Sequence, residues 1–339
     1  MKAIGYTDRL PITHENALID LRHPVPAVSG QDLLVAVKAV SVNPVDTKVR
    51  KNREPDADQP VILGWDAVGD VVAVGDEVTH YAVGDRVWYA GDIRRPGTNS
   101  EFHLVDERIV GRAPKLESLA QAAALPLTAI TAYEMLFDRL NVTAPVAGGA
   151  QAVVIIGGAG GVGSIAIQLL RALTDLTVIA TASRPQTREW VQELGAHHVL
   201  DHSAPLAPQV EDLGLGAPSF VFSTTHSENY IDDVVTFMAP QGRYGLIDDP
   251  ATFNIMPFKG KSLSIHWEMM YTRSMHQTQD MARQRDILNE VAELVDAKKI
   301  RSTLSQGFGP LNAANLRKAH QMLEAGAVKG KLVLEGFDG

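Results

Sequence analysis

A glycine-rich segment at residues 158–163 carries the clearest chemical pattern in the sequence. It consists of Gly158, Ala159, Gly160, Gly161, Val162 and Gly163. Glycines at this Gly-x-Gly-x-x-Gly spacing permit a tight turn, let backbone N–H groups approach a diphosphate, and let a helix pack closely on a strand. The N-terminus of the following helix also favours an anion. The motif therefore predicts a dinucleotide-binding turn, and a glycine turn that binds nothing is the alternative.

The residues about 20 positions further on indicate which dinucleotide is bound. An NAD site usually has an acidic side chain there, at the end of the second strand. Here residues 181–184 are Thr-Ala-Ser-Arg, and Asp175 lies at the opposite end of that strand. The Ser183 hydroxyl and the Arg184 guanidinium suit a 2′-phosphate. We therefore predict NADPH over NADH; a solvated Arg184 at the start of the helix from Pro185 is the alternative.

The bulk composition excludes several classes of function. The chain contains no Cys, and disulfides, thiolate metal sites, thiol nucleophiles and iron–sulfur clusters all require that residue. Lys and Arg number 31 against 40 Asp and Glu, for a net charge of −9, and the basic residues are scattered. This distribution argues against a nucleic-acid partner. No apolar run is long enough for a membrane span and no signal peptide is visible, so we expect no membrane association and a cytoplasmic location.

The elements around the glycine motif predict an α/β fold with two domains. Short Val-rich runs between residues 32 and 89 are separated by glycines, as in an antiparallel β-barrel. Helices follow from Leu119, and strands then alternate with helices, which predicts a doubly wound parallel sheet. The predicted strands of that sheet are 152–156, 176–181, 198–200, 219–222, 243–247 and 262–266. We place one domain at residues 1–124 and 267–339 and the other at 125–266.

Several segments together resemble the medium-chain dehydrogenase/reductase superfamily. They are Ser41–Asp46, the segment at Gly64, Gly84–Val87, Thr131–Tyr133, Gly158–Gly163 and Leu194–Ala196. Asn-Pro-Val at 43–45 and Ala-Gly-Gly-Val-Gly at 159–163 resemble the quinone oxidoreductase branch. Residues 92–97 and 266–268 resemble a group of zinc-type alcohol dehydrogenase-like proteins. The resemblance implies a GroES-like β-barrel domain plus a Rossmann domain, with the active site in the cleft between them.

The same resemblance implies that the site lacks zinc. In zinc-dependent members a Cys of the first segment and a His of the second bind the catalytic metal. Asn43 and Trp65 stand at those positions, and the four closely spaced Cys of the structural zinc lobe are missing. Zinc sites need nitrogen, sulfur or carboxylate ligands in fixed geometry. We therefore predict no metal.

Four residues are candidates for the nicotinamide end of the site through this resemblance. Asn43 is expected to contact cofactor or substrate; a turn residue that satisfies its own backbone is the alternative. Lys48 stands where relatives often have a substrate-facing Tyr, and its charge can stabilise an enolate or phenolate oxygen. A solvated loop lysine is equally compatible with the sequence. Thr128 and Thr131 match positions near the nicotinamide, against an ordinary helix interior.

Further candidates follow the predicted strands. His202 matches a Tyr near the adenosine phosphate in relatives, although a surface His is the alternative. Ser223 with Thr224, and Leu246 with Ile247, lie at the carboxyl ends of strands, where ligands of open α/β sheets bind. The cluster at 266–271 belongs to the core or a dimer interface, or else Trp267 and Tyr271 form an apolar wall for a planar substrate.

These observations predict hydride transfer from NADPH to a quinone or another conjugated carbonyl, without zinc. The predicted catalytic residues are Asn43, Lys48 and Thr131. A 2-enoyl thioester or alkenal reductase and an alcohol dehydrogenase-like enzyme are alternatives that differ in the substrate. A non-catalytic NADPH-binding redox sensor is the alternative from another class. The resemblance also implies a homodimer.

Overall fold

The structure is a computed structural model that describes residues 1–56, 59–326 and 328–337. It divides into two compact units, the first formed by Met1–Leu127 with Tyr271–Gly339 and the second by Thr128–Met270. Within the described ranges, no helix is both long and apolar enough to cross a bilayer.

The strands are β1 (Lys2–Tyr6), β2 (Ile19–Arg22), β3 (Asp32–Val42), β4 (Val61–Ile62), β5 (Ala67–Val74), β6 (Arg86–Tyr89), β7 (Phe102–Asp106), β8 (Val110–Arg112), β9 (Ala150–Ile156), β10 (Thr177–Thr181), β11 (His198–Leu200), β12 (Pro218–Ser223), β13 (Arg243–Leu246), β14 (Ser264–Trp267), β15 (Leu304–Gly307) and β16 (Lys331–Glu335). The α-helices are α1 (Pro44–Asn52), α2 (Leu119–Ala123), α3 (Pro126–Tyr133), α4 (Gly161–Leu173), α5 (Pro185–Glu193), α6 (Leu206–Asp212), α7 (Ile231–Phe237), α8 (Thr272–His276), α9 (Arg283–Asp296) and α10 (Ala313–Glu324). A π-helical segment, Glu134–Arg139, continues α3, and 3₁₀ segments occupy Glu107–Ile109, Ser227–Tyr230 and Met256–Lys261.

The first unit is built on the long strand β3, which pairs antiparallel with β5, β7 and β16. The larger sheet has the order β15-β16-β3-β5-β6-β8, and a smaller sheet has the order β2-β1-β4. Apolar residues of β3 such as Leu33 and Val35 are fully buried. The predicted antiparallel β domain is thus present, and its last strand comes from the C-terminal part of the chain.

The second unit is a parallel sheet with the order β11-β10-β9-β12-β13-β14. Residues 152–156 of the central strand β9 are buried on both faces, as expected for a parallel sheet covered by helices on both sides. The strand order changes direction at β9, because β10 and β11 follow on one side of it and β12 to β14 on the other. Open sheets bind ligands at such a point, beyond the carboxyl ends of the strands. The predicted doubly wound sheet is confirmed.

Helix α1 is not among the elements predicted from the sequence, which gave a turn at Asn43 and a loop at Lys48 only as alternatives. Pro44 occupies its first position, where proline costs no hydrogen bond. The Asp46 carboxylate reaches back and accepts a hydrogen bond from the Asn43 N–H at 2.6 Å, as the third residue of a capping box does. Lys48 therefore lies on a helix, with its side chain exposed.

Candidate functional site

The glycine motif of the second unit forms a turn between β9 and α4. A Cβ added at Gly163 would lie 2.4 Å from the Gly157 carbonyl oxygen, and one at Gly158 would lie 2.9 Å from the Ala180 Cβ. A Cβ at Gly160 would meet nothing nearer than 3.5 Å. Two glycines thus serve close packing, and Gly160 leaves backbone accessible to a ligand.

Sequence reasoning missed Gly157, the residue that makes the turn. Its φ of +81° is in the left-handed region, whereas the motif had assigned the tight turn to Gly158. The Gly157 N–H donates to the Thr181 hydroxyl at 3.0 Å, and the Gly158 N–H donates to the Thr181 carbonyl at 3.2 Å. The turn is therefore fastened to the end of β10. The sequence signal for this turn was Gly157 itself, which directly precedes the first glycine of the motif.

In the part of the chain that the structure describes, no side chain caps the N-terminus of α4. Its N-cap is Gly160, which has no side chain that could accept from these N–H groups; α5 to α9 likewise lack a side-chain cap. Uncapped N–H groups and the helix dipole together favour an anion. Geometry and electrostatics both suit the predicted diphosphate contact of residues 158–163.

The predicted 2′-phosphate residues lie around the end of β10. The Ser183 Oγ is 3.1 Å from His202 Nε2, and His202 Nδ1 is 3.3 Å from Thr181 Oγ1. Arg184 is exposed at the N-cap position of α5. The fold thus brings Ser183 and His202 into direct contact, although they lie 19 positions apart in the sequence. Arg184 directly follows Ser183 in the chain.

The candidates that follow β12 and β13 are neighbours, because Ser223 and Leu246 are register partners. The Ser227 hydroxyl lies 2.5 Å from an Asp248 carboxylate oxygen and 2.8 Å from the Ser223 Oγ. Its single proton goes to the carboxylate, so the Ser223 hydroxyl donates to Ser227. Leu246 is buried and Ile247 lies just beyond the strand, half-buried. Thr128 and Thr131 are also buried, on α3.

A fully buried polar cluster lies in the first unit around Asn43. The Lys331 ammonium donates to the Val42 carbonyl at 3.1 Å, to the Asp66 carboxylate at 3.0 Å, and to the Asn43 Oδ1. The Asn43 Nδ2 in turn donates to Asp66 at 2.8 Å. All three ammonium protons have acceptors, and the carboxamide of Asn43 is held in one orientation. Sequence reasoning gave Lys331 no role.

Asp66, which belongs to the segment at Gly64, is the centre of this cluster. One carboxylate oxygen accepts the Leu127 N–H at 2.7 Å, and the other accepts the Ser41 hydroxyl at 2.6 Å in addition to Lys331 and Asn43. Its neighbour Asp46 is also buried, and burial raises the pKa of that carboxyl to about 7, with the Asn43 N–H and Lys331 opposing the shift.

Trp267 and Tyr271, the predicted substrate wall, fall in different units. Trp267 is 53% exposed and meets the Phe253 ring edge-on at 6.3 Å. Tyr271 is buried and meets the Trp65 ring edge-on at 6.5 Å. Its hydroxyl has no hydrogen-bond partner among the described residues, and burial raises the pKa of Tyr271, with Asp46 and Asp66 adding to the shift.

Comparison with known proteins places the chain in a family. Residues 29–119 match the alcohol dehydrogenase GroES-like domain, and residues 194–334 match the zinc-binding dehydrogenase model. A zinc-type alcohol dehydrogenase-like protein from Staphylococcus aureus is 38% identical over 98% of this chain and 99% of its own. The chain belongs to the medium-chain dehydrogenase/reductase superfamily. It is an oxidoreductase of that superfamily, and the predicted GroES-like and Rossmann domains are confirmed.

Solved structures of superfamily members agree with this assignment. A Rhizobium etli protein, provisionally described as a zinc-dependent alcohol dehydrogenase, is 58% identical with a TM-score of 0.98 over 100% of this chain and 99% of its own. A Pseudomonas syringae quinone oxidoreductase is 26% identical with a TM-score of 0.81, over 98% of this chain and 99% of its own. A mycobacterial protein complexed with NADPH has the same identity and TM-score, over 99% of each chain.

Zinc, which several of these names imply, does not fit the residues of this medium-chain dehydrogenase/reductase. The chain has no Cys, and in the described part no group of three or more His, Asp or Glu could hold a metal. The Trp65 indole offers only an N–H donor, which lies 3.4 Å from the Asp92 carbonyl. The Asp66 carboxylate is already neutralised by the Lys331 ammonium. In the segment Gly64–Asp66, the carboxylate that could bind a metal is therefore already engaged in an ion pair with Lys331.

Proposed function

We propose that the protein transfers hydride from NADPH to a quinone or another conjugated carbonyl compound, without a metal. The glycine turn carries this proposal, because it combines an uncapped helix N-terminus with a Gly160 that leaves the backbone open. Such a turn suits a dinucleotide diphosphate.

The choice of NADPH rests on the groups at the end of β10. A 2′-phosphate needs hydrogen-bond donors and positive charge. Ser183 supplies a hydroxyl, Arg184 an exposed guanidinium, and His202 an imidazole in contact with that hydroxyl. The mycobacterial relative with bound NADPH supports the same choice.

Bound NADPH would supply the hydride, and the residues of this chain would orient it and stabilise charge. Residues 158–163 would hold the diphosphate, and Thr128, Ser223, Leu246 and Ile247 would line the coenzyme beyond the strand ends. Asn43 and Thr131 would orient the reacting groups. The exposed Lys48 ammonium would stabilise the oxygen that gains negative charge as the acceptor is reduced.

The metal-free part of the proposal rests on the Lys331–Asp66 ion pair. Reduction of a simple aldehyde favours a Lewis acid that stabilises an alkoxide, whereas a quinone or enone spreads the charge over a conjugated system. Metal analysis of chelator-treated protein should find no stoichiometric zinc. One zinc per chain after this treatment would contradict the assignment.

Steady-state oxidation of NADPH with a panel of quinones, enones, 2-enoyl thioesters and aldehydes tests the reaction. We expect turnover with 9,10-phenanthrenequinone or 1,4-benzoquinone, and little with simple aldehydes. Preference for an enone or a thioester would instead assign an alkenal or enoyl reductase. Tight binding of NADPH with no turnover of any acceptor would favour a redox sensor.

A homodimer through β14 is proposed as the assembly. This strand is the last in the order of the parallel sheet, and large apolar side chains are exposed at its end and in the flanking sequence, at Trp267, Met269, Ile255 and Met256. An exposed apolar strand edge invites pairing with a second copy. Sedimentation should show a dimer that Trp267→Glu converts to a monomer, while Val83→Glu at an exposed site leaves it intact. A monomeric wild-type protein would contradict this.

A further inference from the structure

The His202 imidazole bridges two hydroxyl groups that belong to different parts of the proposed coenzyme site. Its Nε2 contacts the Ser183 Oγ at 3.1 Å and its Nδ1 contacts the Thr181 Oγ1 at 3.3 Å. The Thr181 hydroxyl also accepts the N–H of Gly157, the left-handed residue of the glycine turn. One ring thus connects the diphosphate turn with the residue expected to meet the 2′-phosphate.

The protonation state of this ring decides what the Ser183 hydroxyl can do. A neutral imidazole with its proton on Nδ1 donates to Thr181 and accepts the Ser183 proton at Nε2, which turns that hydroxyl inward. In the imidazolium form both ring nitrogens donate. Ser183 then accepts from Nε2, and its own proton is available to an outside acceptor. Thr181 has a second lone pair for Nδ1, so the charged form breaks no hydrogen bond.

Charged groups from three elements surround the ring. Burial lowers the pKa of His202, Asp201 beside it opposes this shift, and Arg184 of α5 and His226 beyond β12 lower the pKa further. Arg188 of α5 lies near through its hydrogen bonds to the Ala182 and Val199 carbonyls. Burial, with the two cationic neighbours, outweighs Asp201, so the charged form of the ring is disfavoured in the protein alone. An anion bound there would reverse that balance.

We propose that His202 is a specificity-determining residue that couples proton uptake to recognition of the 2′-phosphate. The inference rests on the proposed NADPH site. Protonation adds a positive charge beside Ser183 and turns the Ser183 hydroxyl toward the phosphate. Binding of the phosphate and binding of the proton therefore strengthen each other, and the preference for NADPH over NADH grows as the pH falls.

Binding of two nucleotide fragments tests this without any need for a turnover substrate. Calorimetry measures the affinities of 2′,5′-ADP and 5′-AMP for the wild type, His202→Gln and the matched control His198→Gln on β11. Between about pH 8 and about pH 6 we expect the affinity ratio to rise about tenfold for the wild type and the control. The ratio for His202→Gln should stay flat or fall, because a phosphate itself loses charge near pH 6.

Titrations of the wild type in two buffers with different ionisation heats give a second measure that needs no variant. Binding of 2′,5′-ADP should take up more protons than binding of 5′-AMP. A preference for 2′,5′-ADP that has the same pH dependence in wild type and His202→Gln, or equal proton uptake for both nucleotides, would overturn the inference alone. Absence of any preference at every pH would instead overturn the NADPH assignment.

Discussion

Replacing Lys331 with Met should destabilise the first unit strongly. The Lys331 ammonium is buried, and it is the cation bonded to the fully buried Asp66 carboxylate at 3.0 Å. Met preserves the length of the side chain but leaves this carboxylate without its counter-ion. Removal of one partner of a buried pair costs about 3–5 kcal/mol. For a unit of roughly 200 residues, each kcal/mol corresponds to about 2–4 °C, so the melting temperature should fall by roughly 10 °C.

Differential scanning calorimetry measures the effect, with Lys38→Met as the control. Lys38 is an exposed lysine of β3, the strand that pairs with β16, and its replacement should move the transition little. The double variant Lys331→Met/Asp66→Asn removes both charges and should recover about half of the loss. A single variant that melts within about 2 °C of the wild type would refute the reasoning. A double variant no more stable than the single one would refute it as well.

Three further predictions concern Asp46, the glycine turn and Arg184. Burial raises the pKa of Asp46 from 3.8 to about 7, so the folded state holds a proton that the unfolded state has lost. The stabilisation is therefore complete below the lower pKa and declines as the pH rises through the upper one. Asp46→Asn should remove this decline in melting curves measured from about pH 4 to about pH 8. Gly163→Ala places a Cβ 2.4 Å from the Gly157 oxygen and should lower the melting temperature. Gly160→Ala should melt normally and still weaken NADPH binding by about tenfold; equal melting losses would contradict the two roles. Arg184→Ala should raise the KM for NADPH by about tenfold more than that for NADH, and equal kinetic effects on both coenzymes would contradict the NADPH assignment.

Local patterns were sufficient for the parallel sheet of the second unit. Its strands are short apolar runs and its glycine turn has a fixed spacing, so each element is encoded by adjacent residues. Predicted and observed strand ends differ by at most two residues: β11 has the predicted bounds, and β13 ends at Leu246, one residue early. Helix α1 was not predicted, because Asn43 and Pro44 were considered only as a motif or a turn, whereas Pro is also a favourable first residue of a helix.

The polar cluster around Asn43 could not be found in this way. Lys331 reaches Asn43 across 288 positions and Asp66 across 265, and no periodicity or motif connects residues so far apart. The pairing of β16 with β3 brings them together. Similarly, Trp267 and Tyr271 are close in sequence, but the division between the two units passes between them.

Titration calorimetry of the folded protein with NADPH and NADH tests the central claim most directly. The uncapped α4 N-terminus and the open Gly160 predict one NADPH bound per chain with a Kd of about micromolar order, and weaker binding of NADH. Absence of binding by both coenzymes, in protein that melts cooperatively, would contradict the assignment of the glycine turn and the function that depends on it.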